Sequence, residues 1–70
     1  MSSMIIGSRI KYLREANDMK QKELAAILQL SPSTINKYEK GERIPEIKHL
    51  IKIADFFDVS TDFLLGRKEY

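Results

Sequence analysis

Apolar residues recur along this chain at intervals of three and four positions, which is the spacing that places side chains on one face of an α-helix. Ile6, Ile10 and Leu13 show this spacing near the start of the chain. No stretch alternates apolar and polar residues as a half-buried strand would. We therefore predict an all-α chain with five helices, over residues 5–17, 21–28, 32–40, 46–57 and 61–65.

The strongest apolar stripe lies in the fourth of these segments. At ~100° per residue, we predict that its core-facing residues are Ile47, Leu50, Ile51, Ala54 and Phe57. His49 lies about 200° from Ile47 on the same helical projection and should face solvent. The next apolar group, which contains Phe56, Phe63, Leu64 and Leu65, should also be mostly core.

The third segment differs from its neighbours because only Ile35 and Tyr38 are clearly apolar within it. Its limits are nevertheless well marked. Ser31 is a favourable N-cap, Pro32 suits the first helical position, and Gly41 suits the end of a helix. A short helix is therefore expected with very little apolar surface to bury.

The helical projection divides this third segment into two sides. Relative to Ile35, Tyr38 and Glu39 fall on the inner side, at about 300° and about 40°. The outer side holds Ser33, Lys37 and Lys40, with Thr34 and Asn36 at its edges. All five side chains are hydrogen-bond donors and none is a carboxylate. Such a surface is either ordinary solvated helix or a surface that faces polyanionic DNA.

Composition limits the other possibilities. Seventy residues make one domain, for which we expect a core over 5–66 and tails at 1–4 and 67–70. There is no cysteine, no apolar run near ~18 residues and no leader pattern, so we expect a cytoplasmic protein without a membrane segment. Residues 1–45 carry eight Lys/Arg against five Asp/Glu, while the remainder carries four against five. This distribution indicates either an ordinary solvated surface or a basic surface, suited to phosphates, in the first part of the chain.

Enzymatic chemistry finds no support in the sequence. We see no pairing of a nucleophile with a base and no glycine loop that would hold a phosphate. The single histidine and the acidic residues near the fifth helix form no recognisable metal or general-acid pattern. We therefore predict a non-enzymatic protein with no catalytic residue, metal or cofactor.

Only about three residues, Gln29 to Ser31, connect the second and third helices, and the apolar Leu30 lies among them. A turn this short with one buried aliphatic side chain makes the helices cross steeply, as in a helix-turn-helix. Together with "MKQKELAAILQLSPSTINKYEKGERIP" and "LIKIADFFDVSTDFLLG", this connection resembles the Cro/cI-type or Xre family, to which lambda-like repressors belong. The resemblance covers residues 5–66 and implies a compact five-helix domain.

In that family the third helix enters the major groove of double-stranded DNA. Transferred residue by residue, the resemblance implies roles for eight side chains. Those expected to approach base edges are Pro32, Ser33, Thr34 and Lys37. Those expected to contact phosphates are Gln21, Asn36, Lys40 and Arg43, of which Gln21 can also brace the third helix and Asn36 could instead bind adenine.

The resemblance also implies an ion pair between Arg14 and Glu39, which we expect to be partly buried and structural. Three positions depart from the family pattern. Lys20 stands where an N-cap residue is common, and so does Glu46. Pro32 lacks a side-chain donor at the first position of the recognition helix.

These features favour a DNA-binding transcriptional regulator, most simply a repressor of a palindromic operator. Dimers are frequent in the family, and we expect a homodimer formed by the fifth helix and the tail near Tyr70. Two alternatives remain open: an antitoxin that also binds a toxin partner, and a helical module that contacts only proteins.

Overall fold

A computed structural model describes residues 3–69 of the chain. The predicted all-α architecture is confirmed, and no strand occurs among the described residues. None of the described helices is long and apolar enough to cross a membrane. The five helices are α1 (Ser3–Ala16), α2 (Gln21–Leu28), α3 (Pro32–Glu39), α4 (Ile47–Phe57) and α5 (Thr61–Leu64).

Side-chain caps fix the starts of two short helices. The Ser31 hydroxyl accepts a hydrogen bond from the Thr34 N–H at 3.2 Å, and Pro32 follows at the first helical position. The Ser60 hydroxyl accepts from the Phe63 N–H at 3.0 Å at the start of α5. Each bond satisfies a backbone donor that a helix start would otherwise leave unpaired.

The start of α2 shows how the chain compensates for a missing cap. Lys20 makes no side-chain cap, as its ammonium group has no acceptor atom. The Glu23 carboxylate instead accepts the Lys20 N–H at 2.7 Å, which is one half of a capping box. Glu46, the residue before α4, also lacks a capping hydrogen bond from its side chain.

Left-handed residues end several helices. Gly41 and Gly66 have φ values of 75° and 79°, as expected for glycine after a helix. Asp18, Gln29 and Asp58 adopt the same conformation without being glycine. The last two residues place their N–H groups on carbonyls of the preceding turn, so these helices also end with satisfied acceptors.

The helices enclose one core. Helix α3 packs against α1 and α2, α1 packs against α5, and α4 packs against α5 and α2. Leu30, in the predicted turn, packs against this core from the edge. The buried apolar side chains are Ile6, Ile10, Leu13, Leu24, Ala25, Leu28, Ile35, Tyr38, Leu50, Ile53, Ala54, Phe63 and Leu64.

The predicted core face of α4 is partly wrong. Leu50 and Ala54 are buried as expected, and Ile53 joins them. Ile47 and Ile51, however, are exposed over 76% and 48% of their surface. The apolar arc of α4 is wider than the area that α2 and α5 cover, so its edge remains in solvent.

The C-terminal aromatic group also divides differently from the prediction. Phe63 and Leu64 are buried, so α5 contributes its large side chains to the core of its own domain. Phe56 is exposed over 46% of its surface and meets the Phe57 ring edge-on at 4.9 Å. The homodimer contact that we predicted at the fifth helix therefore cannot use Phe63 or Leu64. Tyr70, also named in that prediction, lies outside the described residues.

Gly7 lies where α1 crosses the end of α3. A Cβ atom at this position would overlap the carbonyl oxygen of Tyr38 and lie 2.9 Å from that of Glu39. Both obstacles are backbone atoms, which cannot rotate out of the way as a side chain can. The crossing therefore requires glycine in the middle of a helix, where glycine is otherwise unfavourable.

We predict that Gly7→Ala destabilises the domain, although alanine is the better helix former. The overlap must separate α1 from α3, and overpacking of this kind costs about 2 kcal/mol. Thermal unfolding should show a midpoint lower by roughly 10 °C. The control is Ser8→Ala, an exposed neighbour on the same helix, which should change the midpoint little. A Gly7→Ala variant as stable as the control would contradict the close crossing.

Candidate nucleic-acid interface

The outward surface of α3 carries polar and cationic side chains. Pro32, Ser33, Lys37 and Lys40 are exposed, and Thr34 and Asn36 are half-buried. The opposite side of the helix buries Ile35 and Tyr38 in the core. The structure thus brings together the side chains that the sequence placed on the outer face, and it confirms the division into two sides.

The first turn of α3 is held by a pair of hydroxyl groups. The Ser31 and Thr34 hydroxyl oxygens lie 3.0 Å apart, in addition to the cap bond from the Thr34 N–H. This contact favours one rotamer of Thr34 and therefore one direction of its methyl group. Thr34 is therefore positioned before any ligand arrives.

Glu39 is the one carboxylate in α3, and its side chain is only 3% exposed. Its Oε2 accepts the Arg14 Nε–H at 2.7 Å, and its Oε1 accepts the Arg14 Nη2–H at 3.0 Å. Two parallel bonds of this kind give the strongest geometry available to an arginine and a carboxylate. The ion pair expected from the sequence is present, and it joins α1 to α3.

Two further hydrogen bonds complete the arrangement around Glu39. The Arg14 Nη1–H donates to the Met19 carbonyl at 2.7 Å, in the turn between α1 and α2. The Gln21 Nε2–H donates to Glu39 Oε1 at 3.1 Å, from the first residue of α2. Helices α1, α2 and α3 are thus linked through one carboxylate. Gln21 braces α3, which is one of the two roles expected for it.

The electrostatic consequence concerns both partners. The hydrogen bond to Glu39 raises the pKa of Arg14, outweighing partial burial, which acts in the opposite direction. Arg14 is 11% exposed, so its charge serves the carboxylate and leaves little surface for another ligand. The negative charge of Glu39 is neutralised inside the domain. The charged side chains on the outward surface of α3 are therefore all lysines.

Tyr38 and His49 form a contact that the sequence did not reveal. The Tyr38 hydroxyl lies 3.4 Å from His49 Nδ1, and His49 is half-buried. The prediction that His49 faces solvent is therefore wrong, because the true inner face of α4 is shifted toward Leu50 and Ile53. Burial raises the pKa of Tyr38, nearby Arg43 lowers it, and Glu46 raises it further.

The segment after α3 places one more cation beside the helix. The Gly41 backbone N–H donates to the Tyr38 carbonyl at 3.1 Å, and the Glu42 backbone N–H donates to the Lys37 carbonyl at 2.9 Å. These bonds close the helix and reverse the chain. Arg43 and Glu42 are both exposed after this turn, so the cation is accompanied by an acid.

One residue that supports the interface was missed from the sequence, namely Gly7. It makes no contact with a ligand, but it allows α1 to approach the end of α3 where Glu39 is bound. The available signal was a glycine inside an otherwise helical pattern, which usually has a packing reason.

A short turn joins α2 to α3, and α3 is held in place through Glu39 while it presents hydrogen-bond donors to solvent. This arrangement defines a helix-turn-helix module. A family model described as helix-turn-helix matches residues 10–64, and the chain belongs to this family. The family suggested by the sequence motifs is thereby confirmed.

Relatives with assigned roles include the HTH-type transcriptional regulator ImmR of Bacillus subtilis, 36% identical over 66 residues. That match covers 94% of this chain and 52% of ImmR. The cryptic phage CTXphi transcriptional repressor RstR of Vibrio cholerae is 38% identical over 64 residues, covering 91% of this chain and 57% of RstR. The chain therefore spans about half the length of these relatives.

Among solved structures, the P22 c2 repressor in complex with a synthetic operator superimposes with a TM-score of 0.83. The two sequences are 25% identical, and the match covers 90% of this chain and 96% of that one. The similarity thus extends over nearly the whole domain, beyond the α2–α3 unit alone.

We predict that Glu39→Ala destabilises the fold, because it leaves the Arg14 guanidinium largely buried without its partner. Breaking one side of such a pair costs about 3 kcal/mol. Chemical denaturation should show this loss at neutral pH. The matched control is Glu15→Ala, because the Glu15 carboxylate lies 3.9 Å from Arg14 but is exposed, and its removal should cost little. Equal stabilities for the two variants would show that the buried bonds contribute nothing.

Tyr38 predicts a pH dependence. Its pKa is raised in the folded state, whereas an unfolded tyrosine titrates near ~10. The folded chain therefore holds this proton more tightly, and its contribution to stability is complete below pH ~10 and is lost as the pH rises further. Tyr38→Phe should make the unfolding free energy fall less steeply above pH ~10. A slope in Tyr38→Phe identical to that of the unaltered chain would contradict the assignment.

Proposed function

We propose that this chain is a sequence-specific, double-stranded DNA-binding transcriptional regulator, most simply a repressor, that places α3 in the major groove. The observation that carries the proposal is the charge arrangement of α3. Five donors lie on or beside its outward surface, while its only carboxylate is almost completely buried against Arg14. An exposed carboxylate would cost a solvated helix nothing, whereas on a helix that approaches DNA it would repel the phosphates.

We assign base contacts to the first half of α3. The exposed Lys37 can donate to guanine O6 and N7. Ser33 offers a small donor and acceptor, and Thr34, held by Ser31, offers a methyl group suited to thymine. Pro32 contributes only apolar contact, so discrimination between bases would depend mainly on Thr34 and Lys37.

We assign phosphate contacts to Gln21, Asn36, Lys40 and Arg43. Lys40 and Arg43 are exposed near the end of α3, where they can reach the DNA backbone beside the groove. Gln21 uses one N–H on Glu39, which leaves the second N–H of the same amide for a phosphate. Such contacts would set the position of α3 on the duplex without selecting bases.

The relatives support this function over the other hypotheses. RstR is described as a transcriptional repressor and ImmR as a transcriptional regulator, and the P22 c2 repressor is bound to an operator. These descriptions favour regulation over an antitoxin with a toxin partner.

We further propose that the chain acts in the cytoplasm as a homodimer, because two-fold symmetric sites present half-sites about 34 Å apart.

We expect the double variant Lys37→Ala with Lys40→Ala to lose DNA affinity by about 10- to 100-fold, since one base contact and one phosphate contact disappear. The dependence of log K on log salt concentration should become shallower by about 1 to 2. A binding site selected from a random DNA pool would provide the probe for titrations at several salt concentrations.

The control is Lys11→Ala with Lys52→Ala, which removes the same net charge from exposed positions on α1 and α4. It should retain most of the affinity and a similar salt slope. Equal losses in both double variants would indicate nonspecific attraction, and failure of the unaltered chain to enrich any DNA at low salt would reject the proposal.

A further inference from the structure

A small cleft lies between α1 and the part of the chain that forms and follows α5. We call it the Arg9 cleft, and its volume is about 340 Å³. It is lined by Ser8, Arg9, Tyr12, Phe63 and Glu69. Arg9 and Arg14 lie about 140° apart around the axis of α1. Because Arg14 is bound to Glu39 of α3, the Arg9 cleft is separate from the outward surface of α3.

The guanidinium group of Arg9 is held in place by its neighbours. Its Nη1 group donates to the Phe63 carbonyl at 3.3 Å and to the Lys68 carbonyl at 3.1 Å. Its Cζ atom lies 4.3 Å from the centroid of the Phe63 ring, which is a cation–π contact. A ligand would therefore meet a guanidinium that is already positioned, so little conformational entropy is lost on binding.

The other nitrogens of Arg9 keep N–H groups that these contacts do not use. An arginine has donors on Nε and Nη2 besides those on Nη1, and the hydrogen bonds of Arg9 to the rest of residues 3–69 all come from Nη1. No nitrogen of a half-buried or buried side chain in this range is shielded from solvent without a hydrogen-bond partner. The Nε and Nη2 donors of Arg9 are therefore accessible. Arg14 uses this same pair of atoms to bind the Glu39 carboxylate.

A carboxylate of the chain itself lies beside these donors without binding them closely. Glu69 Oε2 is 3.8 Å from Arg9 Nη2, which is beyond hydrogen-bond distance. The Glu69 side chain is 94% exposed, so solvent screens the pair and little energy holds it there. A ligand carboxylate that forms two short hydrogen bonds with Nε and Nη2 can therefore displace Glu69.

Two aromatic side chains give the Arg9 cleft an apolar wall. The Tyr12 and Phe63 rings have centroids 6.5 Å apart and planes inclined at 54°. An apolar wall beside a fixed guanidinium suits a ligand that joins a carboxylate to a flat apolar group. The volume of the cleft is near the lower limit of ~300 Å³ for ligand sites, so the ligand must be small.

We propose that the Arg9 cleft binds a small aryl carboxylate. The carboxylate lies on Nε and Nη2 of Arg9, and the ring lies against Tyr12 and Phe63. On binding, the ligand replaces the carboxylate of Glu69, whose side chain turns into solvent. The site goes beyond the proposed DNA-binding function and does not rest on it, because none of its residues belongs to α2 or α3.

The first test titrates the isotope-labelled chain with benzoate and follows its NMR spectrum. The Arg9 Nε–H resonance should shift and saturate, with a Kd of about 1 mM, because so small a ligand makes few contacts. Acetate lacks the ring and benzyl alcohol lacks the carboxylate, so each should bind about tenfold more weakly or less. Shifts that do not saturate, or equal affinities for benzoate and either of the other two probes, would overturn the proposal.

The second test examines the role of the Arg9 guanidinium. Arg9→Lys keeps the positive charge but removes the paired donors, so benzoate should bind about tenfold more weakly. The matched control is Arg67→Lys, the same substitution at an arginine whose side chain is 72% exposed and does not line the cleft. It should leave the affinity for benzoate unchanged. Equal affinities in the two variants would contradict a site on Arg9.

The third test uses a variant that should bind more tightly, which loss of folding cannot mimic. Glu69→Gln removes the competing carboxylate, and the affinity for benzoate should rise about threefold. Glu42→Gln makes the same change of net charge at an exposed position after α3 and should have no effect. A Glu69→Gln variant that binds no more tightly than Glu42→Gln would reject displacement of Glu69 by the ligand. All these titrations omit DNA, so their outcome is independent of the proposed function.

Discussion

The bound carboxylate of Glu39 holds the domain together at the point where three helices meet. Arg14 reaches it from α1 through two hydrogen bonds, and Gln21 reaches it from α2 through a third. A short α3 with only Ile35 and Tyr38 to bury has little hydrophobic attachment of its own. Hydrogen bonds are directional, whereas apolar contacts are not. These three bonds therefore fix the rotation of α3 about its axis.

The same arrangement explains the surface that α3 shows to solvent. A rotation of α3 by one residue, about 100°, in the direction that exposes Glu39 would turn Lys37 toward the core. Gly7, two helical turns before Arg14, permits α1 to approach the Tyr38 and Glu39 carbonyls closely. The close approach of α1 and the ion pair with Glu39 therefore both act on the C-terminal end of α3. Together they leave the outward surface of α3 without negative charge. The proposed interface depends on these buried supports as much as on the exposed side chains.

Local signals in the sequence predicted most of the fold. Ser31, Pro32 and Gly41 act within one helical turn, so their effect on α3 does not depend on distant residues. Helical spacing identified Ile6, Ile10 and Ile35 as core for the same reason. The Arg14–Glu39 pair required more than local physics, since 25 residues separate the partners. It followed from the inward angle of Glu39 together with the family resemblance.

The sequence by itself determined where helices begin and end and which side of α3 is polar, because caps and periodicity are short-range properties. Only the tertiary structure decided which part of the broad apolar arc of α4 is covered. Its neighbours α2 and α5 bury Leu50, Ile53 and Ala54, leave Ile47 and Ile51 in solvent, and bring His49 to Tyr38. Burial depends on the size and placement of the elements that pack against a helix, and a pattern within one helix contains no information about them.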